Sequence, residues 1–272
     1  MKETLKFERD NFLIGLDPEV VYLQKPYWCN ISDRQLKLSI MRPRDYYTYD
    51  NKATLPLIIW LCGGGFTKMD RMVHLPEMVY FAKRGFAVAS LDYSIFSFTE
   101  FPEMLEEVKT GIRFLRGNAE KFGIRKDKIV IMGESAGGYL AGMAAITNGD
   151  RTYDAGDYPE ESSDVQLAVL YYPPSDPRSG ESSPKVKANR ESFPDMVPLI
   201  SKDTVPMYMI HGTVDDQVDT SSSVRLYDRL MECGVTQSRL TIIEGANHGD
   251  ALCFRDEIKE RIENFIRENL SL

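Results

Sequence analysis

The chain is punctuated by short, nearly unbroken apolar runs: Leu57 to Leu61, Phe86 to Leu91, Ile129 to Met132, Leu167 to Tyr171, Met207 to Ile210 and Leu240 to Ile243. Their length and β-branched content read as strands. The lack of an alternating polar side predicts that both faces are covered, as in a mainly parallel sheet. Between these runs the apolar spacing changes to three and four. After Pro102, the positions Leu105, Val108, Ile112, Leu115, Ala119 and Phe122 form one stripe, which predicts a helix lying on the sheet. Gly85, Gly123 and Gly234 each close a helical pattern shortly before the next strand. Ile258, Ile262, Phe265, Ile266 and Leu270 predict a final amphipathic helix, and Val20 to Leu23 with Leu36 to Met41 predict an antiparallel hairpin at the sheet edge. The repeated order of helix, stop and strand is that of an α/β fold, with a mainly parallel sheet of about eight strands and helices on both faces.

One stretch interrupts this rhythm. Pro173 to Val205 is rich in Pro, Ser and charge and holds two strands about thirty residues apart, well beyond an ordinary connection. We read it as a short lid or cap insertion over about residues 174–205. Neither a repeat nor a linker divides the chain, so a single domain is expected over residues 1–272.

Composition narrows the partners. Of 272 residues, 43% are hydrophobic and 27% charged, enough for a large core that needs neither metal nor disulfide. A formal charge of −8 opposes phosphate backbones and anionic lipid, so neither nucleic acid nor a membrane is an expected partner. The apolar runs fall far short of the ~20 residues that cross a bilayer. The segment Met1 to Asp10 mixes both charges and lacks the apolar core of a signal peptide. Cys29, Cys62, Cys233 and Cys253 are scattered without a C-x-x-C pair, which points to a reducing, cytoplasmic setting and to no structural metal. No cofactor is expected, and a homo-oligomer is left open.

The chemistry is signalled just after the third of the apolar runs. Gly133-Glu134-Ser135-Ala136-Gly137-Gly138 stands between a strand and a helix-like Tyr139 to Ala144. A G-x-S-x-G pentapeptide in that setting makes a sharp elbow. Glycines two positions either side let the backbone pass closely while Ser135 is pushed out at the helix start, a nucleophile beside the Ala136 amide. A second set of amide donors is expected in the loop after Leu61, where Cys62-Gly63-Gly64-Gly65-Phe66 presents bare backbone. Gly64, Gly65 and Ala136 are therefore the candidate oxyanion hole. The run lacks the lysine of a P-loop.

A serine hydroxyl needs a base, and the base needs a carboxylate. Of the three histidines, His248 lies in a polar, glycine-bounded loop between the last strand and the last helix. His211 follows a strand directly and is expected to pack or bond to backbone. His74 precedes a helix with no carboxylate signal nearby, so a surface or lid position is expected. The orienting acid should leave the preceding strand's carboxyl end, which nominates Asp215 or Asp216. Tyr93, Phe96, Phe98 and Phe101 follow another strand end and either wall the substrate pocket or pack in the core.

With these residues in hand, the sequence resembles the hormone-sensitive-lipase-like branch of α/β-hydrolases, and within it small bacterial carbohydrate esterases of the BD-FAE kind related to feruloyl and acetyl xylan esterases. The likeness is carried by Cys62 to Phe66, Asp92-Tyr93-Ser94, Phe101-Pro102 leading to Glu107 to Arg116, Gly133 to Gly138, and His211-Gly212-Thr213-Val214-Asp215-Asp216-Gln217-Val218. It implies the α/β-hydrolase fold and, from the pattern H-G-x-x-D-x-x-V, selects Asp215 as the acid. The triad expected is Ser135, Asp215 and His248, with Phe66, Tyr93 and Phe96 as candidate substrate contacts. Cys62 stands where the family often has histidine. The short cap disfavours long acyl chains. The function the resemblance implies is a serine carboxylesterase acting through an acyl-serine on short-chain or aromatic acyl esters carried on carbohydrates, an acetyl or feruloyl esterase, with a small-molecule or oligosaccharide ester as substrate. A formamidase-type amidase using the same residues, or a ligand-binding relative without turnover, are the alternatives.

Overall fold

Leu57, Ile59 and Leu61 point to one side of the third strand while Ile58, Trp60 and Cys62 point to the other, and all are buried. That alternation within one apolar run is what a strand covered on both faces requires. The computed structural model describes residues 2–6, 13–27, 29–44, 54–179 and 191–272. Its strands are β1 (Leu13–Tyr27), β2 (Ser32–Arg44), β3 (Leu55–Leu61), β4 (Ala87–Leu91), β5 (Ile124–Glu134), β6 (Leu167–Tyr171), β7 (Met207–Gly212) and β8 (Arg239–Ile243). They form one eight-stranded sheet in the order β1-β2-β4-β3-β5-β6-β7-β8. β1 with β2 and β2 with β4 pair antiparallel, and every later pair is parallel.

The helices divide between the two faces. α1 (Leu75–Ala82) and the final helix α6 (Asp256–Leu270) cover one face, where Met78, Phe81, Ile262, Phe265 and Ile266 meet Ile58, Trp60, Val130 and Met132. On the other face α2 (Glu103–Gly117), α4 (Ser135–Ile146) and α5 (Ser221–Glu232) bring Leu105, Val108, Leu140, Met143, Leu226 and Leu230 against Leu57, Ile59, Ile131 and Leu170. Burying each such side chain contributes roughly 1.5 to 3 kcal/mol, so the sheet's two-sided cover is the dominant stabilising feature.

The expected α/β-hydrolase architecture and the strand positions are met, with three local differences. The stripe after Pro102 is buried along its length, but the helix breaks at Asn118 and resumes as the short α3 (Ala119–Phe122). Gly117 and Asn118 are weak helix formers, and the Asn118 side chain adds a second donor, at 2.9 Å, to the Phe114 carbonyl that its own N–H already meets, capping the turn there. β5 begins earlier than its apolar run, because Ile124 already pairs with Leu55 ahead of a register shift. β8 was expected to be covered on both faces, yet it is a sheet edge with Ile242 40% exposed. An apolar run carries no record of which strand lies beside it.

Of the expected cap, residues 180–190 lie outside the described residues. The rest of that insertion is fastened to the body. Phe193, Met196 and Ile200 are buried, the Tyr139 hydroxyl donates to the Pro194 carbonyl at 2.8 Å, and the Met196 N–H donates to the Ser175 carbonyl at 2.9 Å. No described helix is long and apolar enough to cross a membrane.

Candidate active site

β5 ends at Glu134 and α4 starts at Ser135, with no connecting residue between them. Such an abrupt reversal puts Ser135 at φ 51°, the left-handed region that side chains seldom adopt, and exposes its hydroxyl at the helix start. Close approach makes the flanking glycines obligatory. A Cβ on Gly133 would lie 2.4 Å from the Gly137 carbonyl oxygen, and one on Gly137 would lie 2.2 Å from that of Leu61. The second clash also shows how tightly the helix start is set on the end of β3, where the glycine run begins.

The elbow after β5 and the loops at the carboxyl ends of β7 and β8 then converge. The Ser135 Oγ is 2.9 Å from His248 Nε2, and His248 Nδ1 is 2.8 Å and 3.1 Å from the two Asp215 carboxylate oxygens. The bidentate contact holds the proton on Nδ1 and leaves the Nε2 lone pair facing the hydroxyl. The Asp215 side chain is fully buried and accepts the Gln217 and Val218 N–H groups at 3.0 and 2.8 Å. Burial alone would raise its pKa, but hydrogen bonds from His211, His248 and those two amides outweigh it and hold the carboxyl well below the usual range. Asp216, the other acid nominated by position, is exposed and pairs with the Asn247 side chain instead.

His211 packs as expected. It is fully buried, with Nδ1 2.7 Å from the Ser223 hydroxyl and Nε2 2.8 Å from the Val218 carbonyl and 3.2 Å from Asp215 Oδ2, the oxygen that His248 also meets. Asn247 was not foreseen. Its side-chain oxygen accepts the Asp216 and His248 N–H groups, clasping the loop of the acid to the loop of the base. An asparagine beside a loop histidine is the only sequence signal it offers.

The serine opens into a cleft of about 760 Å³, lined among others by Gly64, Gly65, Phe66, Ala136, Gln217 and His248. The candidate oxyanion residues and Phe66 are thus brought to the serine. Tyr93 and Phe96 are not among the lining residues. Tyr93 is buried with its hydroxyl donating to the Cys62 carbonyl at 2.5 Å, where it props the glycine run from behind. Phe96 belongs to an aromatic cluster in which Phe193 contacts Phe66, Phe96, Phe101 and Tyr139. Those rings follow a strand end, but the loop folds inward over α4. A smaller hollow of about 370 Å³ adjoins the cleft, sharing Pro174, Asp216 and Gln217 and extending to Ser221 and Arg225.

His74 departs most from its expected place. Far from a lid, it lies against Glu134, the residue before the nucleophile, with Nε2 3.1 Å from Oε1. The same carboxylate accepts the Gly63 N–H at 3.0 Å and the Tyr172 hydroxyl at 2.7 Å. Burial opposes its ionisation, yet these donors and the His74 ring lower its pKa. Cys62 itself is buried, with Sγ accepting the Trp60 indole N–H at 3.4 Å, and burial pushes its thiol up to about 12.

Strand order, elbow and converging loops together define an α/β-hydrolase. Residues 45–230 match the BD-FAE family model, and the chain belongs to that family. Esterase LipC of Mycobacterium tuberculosis is 27% identical over 78% of this chain and 56% of its own length. A probable carboxylic ester hydrolase of the same organism, LipM, is 27% identical over 67% of this chain and 46% of its own. The chain therefore spans about half the length of these curated relatives. Among solved structures, a truncated carbohydrate esterase from gut microbiota superimposes with a TM-score of 0.79 at 23% identity, covering 97% of this chain and 99% of that one. Esterase 2 of Thermogutta terrifontis gives a TM-score of 0.75 at 25% identity, covering 97% of each.

Proposed function

We propose that the chain, acting as one domain, hydrolyses carboxylic esters through an acyl-Ser135 intermediate. The observation that carries this reading is the hydrogen-bonded order of Ser135, His248 and Asp215 at the mouth of one cleft. Ser135 Oγ attacks the ester carbonyl as His248 Nε2 takes its proton. The carbonyl oxygen becomes an oxyanion facing the amides of Ala136, Gly64 and Gly65, each such donor being worth about 10² to 10³ in kcat. His248 returns the proton to the leaving alcohol, and Asp215 stabilises the imidazolium while it exists. Water then enters along the alcohol's path and His248 repeats the transfer, releasing the acid and restoring Ser135.

The alcohol side is best matched by a polar group. Gln217, Asp216, Ser221 and Arg225 line the way from the cleft into the adjoining hollow and offer donors and acceptors suited to hydroxyls. The name of a structural relative, a carbohydrate esterase, points the same way. An acetylated or feruloylated sugar is therefore the substrate class we propose, and a cytoplasmic setting belongs to the same reading on the ground of the scattered cysteines. Turnover of p-nitrophenyl acetate and of acetylated xylo-oligosaccharides by the wild type and Ser135→Ala tests it. The variant should lose roughly 10⁶-fold in kcat, the scale seen when such a unit is broken, and a loss under about tenfold would refute the acyl-serine route.

A further inference from the structure

Glu134 performs no step in that scheme, although its carboxylate lies at the junction of three separate stretches of chain. Two donors share its Oε1, the Gly63 N–H and the His74 ring, while the Tyr172 hydroxyl meets Oε2. Each leads to part of the site. Gly63 is the residue from which Gly64 and Gly65 extend, and it sits so near the elbow that a Cβ there would be 2.9 Å from the Ser135 Cβ and 3.2 Å from the Glu134 Cδ. Tyr172 packs its ring 4.6 Å from that of His248, and its backbone is held at φ 37°. His74 is itself clamped, stacked on Phe254 at 4.7 Å and 14° and meeting Trp60 edge-on at 5.6 Å.

A carboxylate so placed has one geometric effect. It fixes the distance between the glycine run and the elbow, because it is bonded to the first and covalently continuous with the second. We propose that Glu134, held by His74, is a positioning residue that sets the oxyanion loop against Ser135 and, through Tyr172, ties the same anchor to the base His248. The inference rests on the esterase reading above. It assigns His74 a part in transition-state stabilisation although the ring never touches substrate. Loss of the anchor should misplace the Gly64 and Gly65 amides relative to the oxyanion without closing the cleft, so ground-state binding should survive while the chemical step slows.

The test measures kcat, KM and thermal midpoint with p-nitrophenyl acetate for the wild type, Ser135→Ala, Glu134→Gln, His74→Ala, His74→Gln and Tyr172→Phe. It adds the affinity for a trifluoromethyl ketone, whose adduct with serine places an oxyanion in the hole. A misplacement near 1 Å costs about 10²-fold, so His74→Ala and Glu134→Gln should lose about ten- to a hundredfold in kcat with KM within about threefold. Ketone affinity should fall in parallel with kcat/KM. His74→Gln, whose amide can reach the same carboxylate oxygen, should recover most of the loss. Tyr172→Phe, which removes one hydroxyl and leaves the ring on His248, should fold and lose less than the others. If His74→Ala or Glu134→Gln fails to fold, the other of the two and Tyr172→Phe decide, a several-fold loss of kcat at unchanged KM in Tyr172→Phe supporting the role and wild-type kcat there overturning it. Folded His74→Ala and Glu134→Gln with wild-type kcat and ketone affinity, while Ser135→Ala is inactive, would overturn the positioning role and leave the esterase reading intact. A wild type without ester turnover would remove both.

Discussion

Gly137→Ala adds a single methyl group at the tightest contact of the elbow. Its Cβ would stand 2.2 Å from the Leu61 carbonyl oxygen and 2.6 Å from that of Cys62, where ordinary contact begins at 3.4 Å. The backbone of α4 must therefore retreat from β3 by about 1.2 Å, taking Ser135 and the Ala136 amide away from Gly64 and Gly65. Overpacking of this kind costs about 1 to 3 kcal/mol in stability. The larger effect falls on rate, because a shift near 1 Å between reacting groups costs about 10²-fold. Gly142→Ala is the internal control. It lies on the same helix, but its Cβ would meet side-chain atoms rather than backbone, the Met196 sulfur at 2.7 Å and Leu170 Cδ1 at 3.3 Å, and a thioether side chain adapts more readily than a carbonyl fixed in a strand. Initial rates on p-nitrophenyl acetate, read beside thermal midpoints, should show Gly137→Ala slowed by about two orders of magnitude and Gly142→Ala within about threefold of wild type. A folded Gly137→Ala that keeps wild-type kcat would refute the claim that spacing between β3 and α4 sets the site.

Other perturbations separate chemistry from framework. Asp215→Asn should lower kcat by about 10⁴-fold by offering the wrong tautomer to His248, with KM little changed in steady-state assays. Because the folded Asp215 carboxyl titrates below its unfolded value of about 3.9, the stability it contributes is complete above that pH and is lost as pH falls through the folded value. Urea midpoints of wild type and Asp215→Asn should therefore draw together as pH is lowered from 5 to 3, and a constant gap would count against the depressed titration. Burial holds the Cys62 and Cys253 thiols up to about 12, so a disulfide reagent at pH 8 should label exposed Cys29 readily and those two only after denaturant. Arg113, fully buried against Asp154 and donating to the Ala155 and Asp157 carbonyls, pins the chain after α4, and Arg113→Ala should cost about 3 to 5 kcal/mol by urea unfolding while KM is unchanged.

Much of the plan was legible because it is written locally. The runs at Leu167 to Tyr171 and Met207 to Ile210 carry their own burial on both faces, and Gly123 at φ 64° ends its helix where a helix stop was expected. The elbow was legible for the same reason, since Gly133, Ser135 and Gly137 describe one tight turn within five positions. What stayed hidden is what the tertiary fold alone creates. His74 meets Glu134 across 60 positions and His248 meets Ser135 across 113, yet only the second pair belongs to a pattern recognisable from types and order. Tyr93 and Phe96 follow a strand end like site residues, but the direction of a side chain after a strand depends on the loop's path, which composition does not encode. The exposure of β8 depends on its being last in the sheet, a property of topology rather than of Leu240 to Ile243 themselves.

That marginal position has a consequence for how the molecule fails. The nucleophile is seated on β5, deep in the ladder and wedged by α4, whereas the proton acceptor hangs beyond β8, which is bonded to β7 along one side only. Disorder arriving from the rim reaches the imidazole long before it reaches the hydroxyl. A partly frayed molecule would keep its cleft and its serine but have nowhere to send the proton, so heat should silence turnover first and melt the body afterwards, without any window of loosened selectivity in between.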